Sequence, residues 1–186
     1  GGRALLFLRL FKNAKKGGPG KEHSEKYLEL ARKHVDVALE RTPKGDSKNI
    51  AFLKGREGIL AVASVVYAIQ GDLKSSQEFI NEIRETVMNV NVESPFDFDS
   101  GLAGLVHISK FLESFFGRSV IEKELIERMV KLLHQKGMIN FNKSIDAMEF
   151  GPGWSGTAHW IGQGCGSSGP ILQMLRTDEI ITNLST

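Results

Sequence analysis

Hydrophobic residues recur along this chain with the period of an α-helix, in segments of two kinds. In the first kind, exemplified by residues 27–39, the apolar positions form one stripe and charged residues occupy the opposite face. In the second kind, residues 59–69 and 105–116, nearly every position is apolar. The two kinds alternate along the chain, which predicts amphipathic helices packed outside fully buried ones, in two layers.

The same pattern predicts seven helices and gives most of their ends. Their predicted ranges are 3–12, 23–40, 57–70, 75–90, 101–116, 120–136 and 170–176. Ser75 and Ser119 are each followed three residues later by a glutamate, which is the capping-box pattern of a helix start. Gly71, Gly117 and Gly137 stand where helix C-terminal glycines belong. Since no segment shows a convincing strand alternation, the sequence predicts an all-α fold.

A Gly-x-x-Gly turn stands beside an apolar segment at three places, at intervals of roughly 50 residues. The turns occupy residues 55–58, 101–104 and 153–156, and a degraded copy opens the chain at residues 1–4. A fixed period of this length indicates an array of helical repeats, in which one unit cannot bury its apolar face alone. We therefore expect function where these turns meet, at the ends of the inner helices.

Composition and charge exclude several classes of function. The 24 basic and 22 acidic side chains give a net charge of only +2, and the lysines around residues 17–21 lack aromatic neighbours, so nucleic-acid binding is not expected. The single cysteine, Cys165, excludes an internal disulfide framework and suits a reducing compartment. The longest apolar run is too short to cross a bilayer. We expect a cytoplasmic protein, with peripheral contact at the plasma membrane as the alternative.

Four motifs in order resemble those of the eukaryotic lanthionine synthetase C-like (LanC-like) proteins. Residues 1–2 resemble the family's first inner-helix start, and residues 52–62 resemble its second, Phe-Leu-x-Gly-x-x-Gly-x-x-Ala. Residues 97–104 resemble the third, in which a carboxylate precedes the first glycine by four residues. Residues 148–159 resemble the stretch that ends in Gly-Ala-Ala-His-Gly. In register with that stretch are Gly151, Trp154, Gly156, Ala158 and His159.

The resemblance spans essentially all 186 residues but matches only about the first half of the family's pattern. Leu5 stands where the family usually has a glycine, and Trp160 replaces another. Residues 160–165 look like an insertion after His159. Since the first residue is not Met and the family's later repeats are missing, we interpret residues 1–186 as a single partial α/α-toroid domain, a fragment of a longer pattern.

The resemblance also implies a function. The family's α/α toroid has seven inner and seven outer helices with zinc at one end, and its members add a thiol, glutathione in eukaryotes, to dehydroalanine or dehydrobutyrine in peptides. His159 matches the family histidine that protonates the product carbon, and Asp97 matches the carboxylate that orients it. Arg56, as a ligand for a glutathione carboxylate, and Gly156 are the substrate-binding candidates. The family's zinc ligands lie in its later repeats, so we expect this chain alone to bind no zinc and to be inactive.

Each candidate residue also has a plainer interpretation. Asp97 can simply cap the helix after it, a role for which Asp99 competes. Arg56 can be an exposed turn arginine, and His107, one turn into an apolar helix, is expected to be buried and hydrogen-bonded. Cys165 has no second cysteine for a metal site, and the glycines around it lack the Lys-Ser/Thr ending of a phosphate loop. The alternative function is a non-catalytic helical module that binds glutathione or a protein.

Overall fold

The computed structural model describes residues 2–42, 44, 49–146 and 168–177, and every regular element in these ranges is helical. In chain order the helices are α1 (Gly2–Lys15), α2 (Ser24–Arg41), α3 (Arg56–Ile69), α4 (Leu73–Asn89), α5 (Leu102–Phe116), α6 (Lys123–Asp146) and α7 (Ser168–Leu175), with a short 3₁₀ turn, Lys21–His23, before α2. The all-α prediction is confirmed. Predicted and observed boundaries agree within three residues everywhere except at the end of α6.

The helices pack in pairs and form two layers. α1 packs on α2, α3 on α4, and α5 on α6. In addition, α1, α3, α5 and α7 contact one another in that order, so they make the inner layer, with α2, α4 and α6 outside it. This is the layered arrangement of an α/α toroid, of which the described helices form a part.

The two helices that were predicted to be covered on every side, α3 and α5, lie at the centre of the inner layer. Val62 and Val65 in α3 are each only 2% exposed. The buried polar residues Ser64 and Ser109 donate their hydroxyl groups to carbonyls in the preceding turn of their own helices, at 2.9 and 3.0 Å. Because these two buried hydroxyl groups are satisfied and both helices are closely packed, the N-terminal ends of α3 and α5 are firmly positioned.

The start of α4 differs from the capping-box prediction. Asp72 is the N-cap residue, since its Oδ1 accepts a hydrogen bond from the Ser75 N–H at 3.0 Å and its Oδ2 accepts one from Ser75 Oγ at 2.8 Å. The helix therefore begins at Leu73, and the prediction of a start at Ser75 is wrong. A similar correction applies at α6, which begins at Lys123, because Ser119 Oγ donates instead to the Ile121 carbonyl at 2.6 Å.

The glycine signals at helix ends are confirmed in two places and wrong in one. Gly71 and Gly117 follow α3 and α5 with φ of 88° and 67°, the left-handed conformation of a C-terminal glycine. Gly137 instead lies inside α6, which continues to Asp146. A glycine inside a helix costs only about 1 kcal/mol relative to alanine, so a long helix can run through it. None of the helices in the described part of the chain combines the length and apolarity needed to span a bilayer.

Candidate functional site at the glycine turns

The glycine turns that precede α3 and α5 lie directly against each other. The Ile50 N–H donates to the Ser100 carbonyl at 2.8 Å, and the Lys54 N–H donates to the Asp99 carbonyl at 3.2 Å. A Cβ at Gly104 would overlap Ala51, so only glycine permits this approach. The N-terminal ends of two inner helices therefore meet at one end of the layer, as the repeat of glycine turns predicts.

Asp97 lies at this end, and its carboxylate closes the turn before α5. Its Oδ1 accepts from the Ser100 N–H at 2.8 Å, and its Oδ2 accepts from Ser100 Oγ at 2.7 Å. The N-cap of α5 itself is Gly101, so Asp97 caps the turn rather than the helix. A carboxylate has about four lone-pair positions, so two accepted hydrogen bonds leave it able to accept another.

Asp99 pairs with a lysine of the neighbouring glycine turn. Its carboxylate oxygen lies 3.1 Å from Lys54 Nζ, and the two residues are also joined through their backbones. Because Lys54 belongs to the turn before α3, this ion pair is a second link between the two glycine turns. Since the N-cap of α5 is Gly101 and carries no side-chain cap, the prediction that Asp97 or Asp99 caps this helix is wrong.

His107, one turn into α5, is held between two aromatic rings. Its ring centroid lies 4.9 Å from that of Phe52 and 5.2 Å from that of Phe98, with the rings edge to face. Its Nδ1 is buried and has no hydrogen-bond partner among the described residues, so the predicted hydrogen bond is absent at this nitrogen. Burial lowers the pKa of His107, and the positive charges of Arg176 and Arg9 lower it further, which favours the neutral imidazole.

Arg56 is already committed to contacts within the protein. Its Nε lies 2.6 Å from Glu82 Oε1, and its Nη1 donates to the Thr42 carbonyl. Its side chain is only 14% exposed, so the interpretation as an exposed turn arginine is wrong: α4 brings a carboxylate beside the turn. A role for Arg56 in holding a glutathione carboxylate stays a prediction.

A family model described as lanthionine synthetase C-like protein matches residues 2–179. The chain belongs to the LanC-like family. The match includes both described glycine turns and the positions of Asp97, Gly156 and His159. No curated protein matches the chain.

Several predicted features of this LanC-like chain fall on residues that the structure does not describe. His159, Gly156 and Cys165 lie there, together with the third glycine turn and the segment 160–165. Within the described ranges, no group of three or more His, Cys, Asp or Glu side chains could hold a metal ion. The described residues therefore do not by themselves fit the zinc that the family implies.

Glu57 is a buried titratable residue that the sequence analysis of this LanC-like chain missed. It lies in the first turn of α3 and is only 7% exposed, and its Oε1 accepts a hydrogen bond from Thr86 Oγ1 at 3.0 Å. Burial raises the pKa of Glu57, and the charge of Glu82 adds to this, while the contacts with Thr86 and Arg56 oppose it. The available signal was a lone acidic residue at the start of an otherwise apolar helix.

Proposed function

We propose that this chain carries the proton-donating side of a thiol addition, in which glutathione is added to dehydroalanine or dehydrobutyrine residues of a peptide. The observation that carries the proposal is the family match over residues 2–179, because one continuous match takes in both Asp97 and His159. The position of Asp97 at the glycine turns, where function was expected from the repeat, supports it.

The proposed reaction needs no oxidant or reductant. The sulfur of the ionised thiol forms a bond to the β-carbon of the dehydro residue, and the electron pair of the carbon–carbon double bond moves to give an enolate. The imidazolium of His159 then gives its proton to the α-carbon, and the ring regains a proton from solvent. The sum of these steps is the addition of S–H across the double bond.

Asp97 is proposed to orient His159 and to favour its charged form. A carboxylate beside an imidazole stabilises the imidazolium and fixes which nitrogen carries the proton. Two hydrogen bonds from Ser100 hold the Asp97 carboxylate in one position, so it can act as a fixed acceptor. Asp97 is thus a positioning residue, and His159 is the catalytic one.

We also propose that the 186-residue chain alone adds glutathione no faster than the uncatalysed reaction. In this family the thiol is ionised at a metal with three protein ligands and an open fourth position. The side chains of the described residues bring no such set together. The repeats that hold the family's zinc would have to be supplied for turnover.

The test compares the chain with a chimera that joins it to the zinc-binding repeats of an active LanC-like protein. Both are incubated with zinc, glutathione and a dehydroalanine peptide, and the adduct is measured by mass spectrometry. We expect turnover only in the chimera, with a loss of about a hundredfold in its His159→Ala variant and about tenfold in Asp97→Asn. Asp99→Asn, at the same end of the layer, is the matched control.

Two results would contradict the proposal. Full activity of the His159→Ala chimera would show that His159 is not the proton donor. Adduct formation by the 186-residue chain alone, if it is lost on His159→Ala, would show that the added repeats are not needed. Saturable glutathione binding by the chimera without any turnover would instead identify a non-catalytic binding module.

A further inference from the structure

The α4–α5 segment, residues 90–101, carries Asp97, and helix α6 holds the part of it that follows α4. Arg128 in α6 donates from Nη1 to the Met88 carbonyl and from Nη2 to the Val90 carbonyl, each at 2.8 Å. The last carbonyls of a helix have no partner within it, and the helix dipole favours a cation beside them. Arg128 therefore ties the C-terminal end of α4 to α6.

Lys136, about two turns further along α6, contacts the α4–α5 segment at two points. Its Nζ donates to the Val92 carbonyl at 2.8 Å and lies 5.5 Å from the centroid of the Phe96 ring. The first contact is a charge-assisted hydrogen bond, and the second is a cation–π contact. Because Phe96 is the residue directly before Asp97, Lys136 holds the chain immediately ahead of that carboxylate.

The other end of the segment is held by the start of α5. The Leu102 N–H donates to the Pro95 carbonyl at 2.8 Å, and the Gly101 N–H donates to the Asp97 carbonyl at 3.1 Å. A Cβ at Gly101 would overlap the Pro95 carbonyl, so this close approach requires a glycine there. Helix α5 thus fixes the segment from Pro95 onwards, and α6 fixes the part before it.

We propose that Lys136 is a positioning residue for Asp97: it holds the segment against α6 and thereby sets where the Asp97 carboxylate lies. This inference rests on the proposed function, in which Asp97 orients His159. Lys136 contacts the Val92 backbone and the Phe96 ring, so its effect on the reaction passes through the segment. An outer helix thereby becomes part of the site at the glycine turns.

Both contacts of Lys136 need its charge. The ammonium supplies a donor for the carbonyl and a cation for the ring. Methionine keeps an apolar stem but has neither a donor nor a charge, whereas arginine keeps both. Lys136→Met should therefore release the segment, and Lys136→Arg should hold it.

The first experiment measures amide hydrogen exchange at Ser100 by NMR in the 186-residue chain. The Ser100 N–H donates to Asp97 Oδ1 at 2.8 Å, so its exchange reports whether the carboxylate is held in place. Lys136→Met should speed this exchange about tenfold, and Lys136→Arg should stay within about threefold of wild type. The buried Val65 amide in α3 should not change, and Lys131→Met, on the exposed face of α6, is the matched control.

Arg128→Met is a second comparison, because it removes two hydrogen bonds between α6 and the chain around the end of α4. A loss of contacts with α6 in general would speed exchange at Ser100 as much as Lys136→Met does. We expect a smaller effect than that of Lys136→Met, because the Arg128 contacts lie further from Asp97 along the chain.

The second experiment measures adduct formation by the chimera described above. Lys136→Met should lower kcat about threefold and leave the KM for glutathione unchanged, since the substrate does not contact Lys136. In the Asp97→Asn background it should lower kcat no further, because the carboxylate that it positions is gone. Lys131→Met should leave both constants unchanged.

Unchanged exchange at Ser100 in Lys136→Met would overturn the proposal, and so would an equal rise at Ser100 and Val65, which would mean a general loss of stability. An equal effect of Arg128→Met on Ser100, or a full further loss of kcat in the Asp97→Asn background, would overturn it as well. If the unmodified chimera shows no turnover, the proposed function fails, and the exchange at Ser100 still decides whether Lys136 positions Asp97.

Discussion

Gly58 packs directly under the carbonyl of Phe52, so closely that a Cβ at position 58 would overlap the oxygen. The first turn of α3 thereby fits beneath the loop that precedes it. Gly58, the second glycine of the turn at residues 55–58, is therefore required for this packing. It allows the backbone on the two sides of the turn to touch.

Replacing Gly58 by alanine should therefore destabilise the fold. In a free helix this change would gain up to about 1 kcal/mol, but the clash with backbone that cannot move aside should cost about 2 kcal/mol or more. Urea unfolding measures the difference. Gly2→Ala in α1, where a Cβ meets no atom within 4 Å, is the control and should be neutral or stabilising. Equal stability of the two variants would contradict the packing argument.

The ion pair between Arg56 and Glu82 should contribute to stability much more than an exposed pair. Its side chains are 14% and 18% exposed, and Arg56→Met would leave a partly buried carboxylate with only Lys44. We expect a loss of about 2 kcal/mol in the free energy of unfolding. Lys15→Met breaks a pair of the same 2.6 Å length whose side chains are 53% and 70% exposed, so it should cost under about 1 kcal/mol. Similar losses in both variants would refute the distinction.

Protonation of His107 should destabilise the folded chain in mild acid. Its folded-state pKa lies below the usual value of 6.5, so stability is retained above that value and falls as pH drops through it. Between about pH 7.5 and about pH 5, wild type should lose more free energy of unfolding than His107→Leu, which cannot titrate. His23→Gln removes an exposed histidine and should follow wild type. Parallel pH profiles for wild type and His107→Leu would disprove this expectation.

Glu57 should produce a dependence of the opposite sign. Burial raises its folded-state pKa above 4.5, so between the unfolded and folded values the folded chain holds more protons, and stability falls as pH rises. Glu57→Gln lacks this loss, so it should gain stability relative to wild type as pH rises from about 4.5 through the folded-state pKa of Glu57. Chemical denaturation at several pH values checks the slope, with Glu29→Gln as control. A constant difference between Glu57→Gln and wild type would count against the buried, protonated carboxyl.

The helices of the inner layer could be predicted closely because their signals are local. An apolar run followed by Gly71 or Gly117 indicates both that the helix is buried and where it ends. The start of α4 is less well determined by the sequence, because Asp72 and Ser75 can both cap a helix. The structure uses both, with the Asp72 carboxylate accepting from the amide and hydroxyl of Ser75.

The partners of site residues could not be predicted in the same way. Glu82 lies 26 residues after Arg56, and only the packing of α4 on α3 brings them together. Glu57 likewise has a distant partner, Thr86. The sequence pattern around Thr86 indicates only that it lies on an outer helix. Asp97 is the contrasting case: its bond to Ser100 spans three residues, so a local hydrogen bond could be predicted from spacing alone, although it closes the turn and does not cap α5.

The hydrogen bonds from Ile50 and Lys54 to the carbonyls of residues 99–100 can form only late during synthesis of the chain. These two amides belong to the turn before α3, but their acceptors are made about 50 codons later. At ribosomal speeds of about 5–20 residues per second, the nascent chain carries that turn unfinished for roughly 3 to 10 seconds. During this interval the two amide N–H groups donate to water rather than to protein. The turn before α3 is thus completed only when the turn before α5 has been made.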